Sequence, residues 1–253
     1  MNKYEQIERL EERYKERKKE FGENHPDTLT ALNDLAVTLR DLGYYQESQD
    51  RFEQVYEACK RILGEDHPDT ITALNNLATI FIRLEKYMEG VEKLKLLYEM
   101  SREIHGEEHP DTIAILNNLA RGLCLSGSYE EALEKQQRVV ETSSRLLGEE
   151  DPFTLTSLNN LAAVLGELGR HEEALAIQKR VYEKRKRIFG ENYPDTLRVQ
   201  GKLAGSLFKL GRKEEALRLM KQVHAARKQI LGEDHPETKK ALADLTAMLD
   251  GSF

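Results

Sequence analysis

The stretch Leu63–Ala78, LGEDHPDTITALNNLA, puts a helix breaker, adjacent carboxylates, a proline, leucines at helical spacing and two neighbouring asparagines into one short run. Proline is tolerated in the first turn of a helix, where its missing N–H has no partner to lose, so Pro68 marks a helix start and Gly64 the stop before it. Asn75 and Asn76 then fall in the middle of that helix. Asparagine is a mediocre helix former because its side chain competes for backbone hydrogen bonds, so the pair needs a local reason.

The same signature returns along the whole chain. All six prolines, Pro26, Pro68, Pro110, Pro152, Pro194 and Pro236, are spaced 42 residues apart. Each has a glycine four residues before it (Gly22, Gly64, Gly106, Gly148, Gly190, Gly232) and a threonine two after (Thr28, Thr70, Thr112, Thr154, Thr196, Thr238). A fixed period of this size signifies an array of one supersecondary unit, because each unit leaves an apolar face that only its neighbour covers.

Within a unit the apolar period is helical. Leu74, Leu77, Ala78 and Leu84 recur in register as Leu32, Leu35, Ala36 and Leu42, the three-and-four spacing of an amphipathic helix. Gly43, Gly127, Gly169 and Gly211 end these first helices, and Glu85 stands in that place in the second unit. A longer second helix follows, such as Tyr45 to Leu63, with small residues (Ser48, Gly90, Ala132, Ala174, Ala216) where two helices must approach closely. The expected organisation is one domain over 1–253: a lone second-type helix over 3–21, five helix pairs over 26–63, 68–105, 110–147, 152–189 and 194–231, and a lone closing helix over 236–249. No linker is long enough to divide domains.

Composition excludes several function classes. With 253 residues, 39% hydrophobic and 33% charged, the chain reads as an ordinary soluble protein. No apolar run is long enough for a membrane span, and MNKYEQIERLEERYKERKKE lacks the apolar core of a secretory signal, so a soluble, cytoplasmic protein is expected, with no membrane partner. A formal charge of −7 is the wrong sign for a general nucleic-acid binder. Cys59 and Cys124 have no metal-like spacing and predict reduced thiols.

Patterns that suggest chemistry dissolve in the register. His105-Gly-Glu-Glu-His109 has the histidine spacing of a zinc helix but not its HExxH sequence, and Gly106 and Pro110 put it across a helix boundary. His25, His67, His109 and His235 all precede a proline and read as helix-start residues. Gly201-Lys202 is no phosphate loop, since Thr196 stands where the earlier glycine belongs and Leu203 where Ser or Thr belongs. Glu172-Glu173 and Glu214-Glu215 open second-type helices, where they complement the helix dipole. No catalytic residue, metal site or cofactor is predicted.

The motifs LNNLA, then LGxYEEAL, then KRxLGEDHPDT resemble the tetratricopeptide repeat (TPR) in its 42-residue form, most like the repeats of kinesin light chains and of proteins that join such repeats to signalling ATPases. The resemblance covers essentially the whole chain. It implies an all-α, right-handed α-solenoid of antiparallel helix hairpins, the TPR superhelix, and a non-enzymatic role in protein–protein interaction. It also implies that one stripe of each first helix, at positions four, seven, eight, eleven and fifteen after the proline, lines a concave groove.

Read across the units, that stripe carries Thr72, Asn75, Asn76, Thr79 and Arg83, then Asn117, Asn118 and Arg121, then Asn159 and Asn160, then Arg198, Gly201, Lys202, Gly205 and Lys209. An asparagine amide offers two donors and an acceptor, which suits it to hold the main chain of an extended peptide. Arg83, Arg121, Arg198, Lys202 and Lys209 would make the groove locally cationic in a net acidic chain, against few acids there (Asp34, Glu167), and so steer acidic ligands. Some tetratricopeptide domains clamp a C-terminal carboxylate with basic residues and asparagines. Asn160, Arg198 and Lys202 match part of such a clamp, whereas Asn117 and Arg121 stand where that family uses lysine and asparagine. Gly201 and Gly205 are expected to open a pocket beside Phe208 for a bulky side chain.

The expected peptide-binding residues are therefore Asn76, Arg83, Asn118, Arg121, Asn160, Arg198, Lys202, Phe208 and Lys209, and the expected ligand is an extended, acidic peptide segment or C-terminus of a partner protein. Two further readings stand beside this one: a regulatory or sensor segment of a larger, NTPase-containing signalling protein, and a self-assembling module forming a homodimer through its lone terminal helices.

Overall fold

The computed structural model describes residues 3–252. Among them are twelve α-helices and no strand: α1 (Lys3–Phe21), α2 (Pro26–Asp41), α3 (Tyr45–Leu63), α4 (Pro68–Arg83), α5 (Tyr87–His105), α6 (Pro110–Leu125), α7 (Tyr129–Leu147), α8 (Pro152–Glu167), α9 (His171–Phe189), α10 (Pro194–Lys209), α11 (Lys213–Leu231) and α12 (Pro236–Asp250). Leading helices of 16 residues alternate with following helices of 19.

Five of the six leading helices begin with a side-chain cap before proline, Tyr193 before α10 making none, and the hydrogen bonds say why. Proline occupies the first turn, and the residue before it is held extended, as proline demands of its predecessor. The Nδ1 atoms of His25, His67, His109 and His235 each accept a hydrogen bond from the backbone N–H two residues on, at 3.2 Å. In α8 the Asp151 carboxylate does the same for Phe153 at 2.8 Å. Histidine before proline is therefore an N-cap that satisfies one of the orphan donors of the first turn. At the first two junctions the threonine closes the motif behind it, Thr28 donating its hydroxyl to Gly22 O and Thr70 to Gly64 O, both at 2.8 Å, whereas Thr112 bonds Ser101 on the preceding helix. Gly64, at φ 91° and ψ 170°, sits where only glycine is comfortable, so the spacing of glycine, proline and threonine is one folded unit.

The leading helices also end alike. Beyond α2, Tyr44 N–H bonds Leu39 O at 2.9 Å and Gly43 N–H bonds Arg40 O at 3.1 Å, a Schellman closure with glycine in the left-handed position. Beyond α4 the pattern repeats with Glu85 at φ 59°, and its N–H reaches Ile82 O at 3.3 Å.

The helices form two compact units, Met1–Ser128 and Tyr129–Phe253. In the first, α1 to α6 each pack on the next; in the second, α7 to α12 do so. The leucine stripe supplies the first core, with Leu35, Leu74 and Leu119 at most 1–2% exposed, and α3 and α5 add Phe52, Leu94 and Leu97. The second core joins Leu155, Val181, Val199, Leu207, Val223 and Ala241. Ser48 is fully buried and donates to Ala36 O at 2.8 Å, so the small residues of the following helices do mark close approaches. In the second unit Glu149, in the turn before α8, accepts hydrogen bonds from Arg180 and Lys184 of α9. Those bonds, and then the two positive charges themselves, lower its carboxyl from the ordinary 4.5 to about 2.

These turns have two measurable consequences. Glu85→Gly relieves the left-handed strain of a side-chain-bearing residue and raises stability by roughly 1 kcal/mol in chemical denaturation. Glu149 contributes stability that is present above its unfolded value near 4.5 and lost as pH falls through about 2, so thermal melts of Glu149→Gln lose less than wild type between pH 5 and pH 2.

Candidate functional site

In the first unit the predicted stripe is partly to fully open to solvent along α2 and α4, and on α6 at Ala114, Asn118 and Arg121. Asn76 is only partly available to a ligand. Its Nδ2 donates to Asn33 Oδ1 on α2 at 3.1 Å, an internal rung that fixes α4 against α2. The expected ladder of amides free for a guest is corrected at this point, because its first rung is closed by the protein itself.

One repeat later the rung is open. Asn75 is the counterpart of Asn33, and its Oδ1 is buried without a hydrogen-bond partner. Asn118 is the counterpart of Asn76, and it lines the same pocket as Asn75 without making the equivalent bond. This pocket, roughly 280 Å³ between α4, α5 and α6, also presents Thr72, Ser101 and His105. His105 stacks on His109 with ring centroids 4.6 Å apart, and the His109 Nδ1 is engaged as the cap acceptor for Asp111. The pair is thus helix-start architecture. A pocket of roughly 330 Å³ occupies the corresponding place one repeat earlier, with Leu29, Val55 and Cys59 among its lining, and Thr72 borders both. Burial, and then the nearby Asp69, push the Cys59 thiol up, so the neutral thiol lines this pocket.

The cations of the first unit lie at the C-terminal end of this surface. Arg83 closes α4 and Arg121 lies on α6, both exposed, and neither forms an ion pair among the described residues. Desolvation, followed by repulsion from Arg83, lowers the Arg121 guanidinium below its ordinary value. Two glycines bring these residues together. A Cβ on Gly90 would stand 2.7 Å from Ile82 Cδ1, and one on Gly122 would stand 3.1 Å from Val91 Cγ2 and 3.3 Å from Ile82 Cδ1. Ile82 is therefore wedged between α5 and α6, and the next residue on α4, Arg83, is near enough for its charge to act on Arg121. Asp34, the acid expected on this face, is already paired with Arg13 of α1 at 3.0 Å.

The second unit differs. Asn160 is half-buried and Asn159 buried, while Lys202 and Lys209 are exposed. Arg198 is held by Asp195 of its own helix through hydrogen bonds of 2.9 and 3.1 Å. Phe208 lies within the core, 9% exposed, with the Lys213 ammonium 5.6 Å from its ring centroid. The open pocket expected beside it is corrected accordingly: Gly201 does leave open space, but Phe208 is a packing residue.

Sequence reading missed Arg185. It occupies the register position of Cys59 and Ser101, is 2% exposed, donates from Nη2 to Thr156 Oγ1 at 3.0 Å and lies 3.6 Å from Asp195. Burial lowers its guanidinium below the ordinary value; Asp195 opposes that and Arg198 adds to it. The signal was present as a change from small residues to arginine at one repeat position. A buried arginine there occupies the space that stays open above Cys59 and Ser101.

Tetratricopeptide repeat models match residues 4–61, 28–87, 72–142, 111–187 and 154–229, and the chain belongs to the tetratricopeptide repeat family. Among solved structures it is similar to a "putative kinesin light chain" of Podosopora anserina with nearly identical TPR-like repeats, at 27% identity over 82% of this chain and 98% of that one, with a TM-score of 0.68. It shares its fold with BtubC (BKLC) from P. vanneervenii, at 18% identity, coverage of 93% and 94%, and a TM-score of 0.73. It also shares its fold with a Rap protein complexed with Competence and Sporulation Factor, at 13% identity over 89% of this chain and 63% of that one, with a TM-score of 0.71. No curated protein matches the sequence. Among the described residues no helix is long and apolar enough to cross a membrane.

Gly122→Val forces a branched side chain against Val91 and Ile82. It lowers stability by roughly 1–3 kcal/mol in urea denaturation, whereas Gly201→Ala, with open space around it, does not destabilise.

Proposed function

We propose that this chain is a non-enzymatic protein–protein interaction scaffold whose first unit holds an extended acidic peptide across α4 and α6. The observation that carries this reading is the pair Arg83 and Arg121, two guanidiniums on adjacent leading helices without carboxylate partners among the described residues. Like charges brought together and partly desolvated are costly unless a counter-charge arrives, and here the protein supplies none. Guanidinium stays protonated at any physiological pH, so these residues suit binding rather than proton transfer. Beside them, Asn75 Oδ1 awaits a donor, and a peptide N–H is the commonest one an extended ligand offers. Arg198, already paired with Asp195, has a weaker claim on a ligand.

The test is fluorescence anisotropy with an acidic peptide drawn from a random library by selection on the protein. Arg83→Glu with Arg121→Glu weakens binding by about 100-fold, on the scale of 1.5–3 kcal/mol for each lost charged hydrogen bond, whereas Arg198→Glu with Lys209→Glu changes it by less than about 10-fold. Unchanged affinity in the first double variant would remove the α4–α6 surface from the reading.

A further inference from the structure

The α4–α6 surface narrows the chemistry of its ligand beyond acidity. We infer that Arg83 and Arg121 together clamp one phosphoryl group of a phosphorylated peptide segment, whose backbone is held by Asn75 and Asn118 on the N-terminal side; this inference rests on the peptide-binding reading of the same surface.

Three observations point to a single compact dianion rather than to separate carboxylates. The first is proximity without compensation. Ile82 fills the space between Gly90 and Gly122, so the residues next to it in sequence, Arg83, and next to Gly122, Arg121, are carried on helices drawn together at that level. Burial first, and then repulsion from Arg83, lowers the Arg121 guanidinium, so Arg121 senses the Arg83 charge at that level. One carboxylate between them would leave a net positive charge. A phosphoryl dianion offers three oxygens to two planar forks and cancels both charges at once.

The second observation is that this closeness belongs to one place in the array. The positions equivalent to Gly122 are Thr38, Ile80, Val164 and Ser206, and those equivalent to Gly90 are Ser48, Ala132, Ala174 and Ala216. Glycine occurs at both only where α4, α5 and α6 meet. Arginine at position fifteen of one leading helix beside arginine at position eleven of the next is likewise found only at α4 and α6.

The third is the open rung. Asn33 Oδ1 receives a hydrogen bond from Asn76, whereas Asn75 Oδ1 is buried and receives none. A ligand donor placed there completes the rung. Arg83 lies eight residues beyond Asn75 on α4, about 12 Å along the helix at 1.5 Å per residue, a span of about four residues of extended peptide at 3.3 Å each. The backbone contact and the phosphoryl contact therefore fit one short segment.

The experiment uses the full chain, immobilised, and two nonapeptide libraries degenerate at every position except the centre, which is phosphoserine in one and aspartate in the other. Retained peptides are quantified by mass spectrometry at physiological salt, above the second phosphate ionisation near pH 6. Retention at least tenfold greater for the phosphoserine library, abolished in Arg83→Gln with Arg121→Gln and preserved in Lys221→Gln on the exposed face of α11, is the expected result. Equal retention of the two libraries, still sensitive to the arginine pair, would overturn the phosphoryl assignment and leave the acidic-peptide reading standing. Retention of neither library, or retention insensitive to the arginine pair, would overturn both. Circular dichroism melts of the variants separate lost binding from lost folding.

Discussion

Everything in this molecule depends on the junction by which one helix stops and the next begins. Glycine in a conformation closed to other residues, an extended residue before proline and proline in the first turn recur at each leading helix; at five of the six that residue is a histidine or aspartate whose side chain caps the new helix, and at the first two a threonine hydroxyl reaches back to the glycine carbonyl. Because this unit recurs every 42 residues, equivalent side chains recur at equivalent places on each leading helix. The junction fixes the register, the register fixes the leucine core, and what is left over on the opposite stripe is available for a partner.

Function in such a repeat lies in its departures from uniformity. Asn76 closes its rung to Asn33, as a structural asparagine should, and the next rung stays open. Glycines at 90 and 122 admit Ile82 between helices, at the level where Arg83 and Arg121 stand without ion pairs among the described residues. In the second unit the arginines of this region are held internally, Arg198 on Asp195 and Arg185 on Thr156 and Asp195, while Asn159 Oδ1, the counterpart of Asn75, is likewise buried without a partner. A uniform array would present the same face throughout; this one departs from uniformity in its first unit, where we propose the site between α4 and α6.

The sequence alone revealed the helices nearly residue by residue, because proline, glycine and the leucine period each mark a boundary or a buried face by local chemistry. The face of α4 and α6 was legible for the same reason, and Arg83 and Arg121 emerge from counting turns. What a side chain does once it is on that face was not legible. Asn76 and Asn118 are identical in register, yet one is bonded across helices to Asn33 and the other does not make the equivalent bond to Asn75. Phe208 counted onto the edge of the stripe but turns into the core, where an aromatic ring gains more by burial than by exposure. Arg185 stood at a position that small residues had marked as packing, and only the fold shows its charge answered by Asp195. Pairings between helices are properties of tertiary distance, which periodicity does not encode.

The proposal that Arg83, Arg121 and the Asn75 amide on α4 and α6 take an acidic segment is tested most directly by nuclear magnetic resonance of the arginine Nε–H and asparagine side-chain amide signals during titration with an oligoglutamate peptide. Shifts of Arg83, Arg121, Asn75 and Asn118 that saturate together, with Asn33 and Asn76 little moved, are the predicted result. Saturating shifts confined to other cations, with Arg83 and Arg121 unmoved, would contradict it.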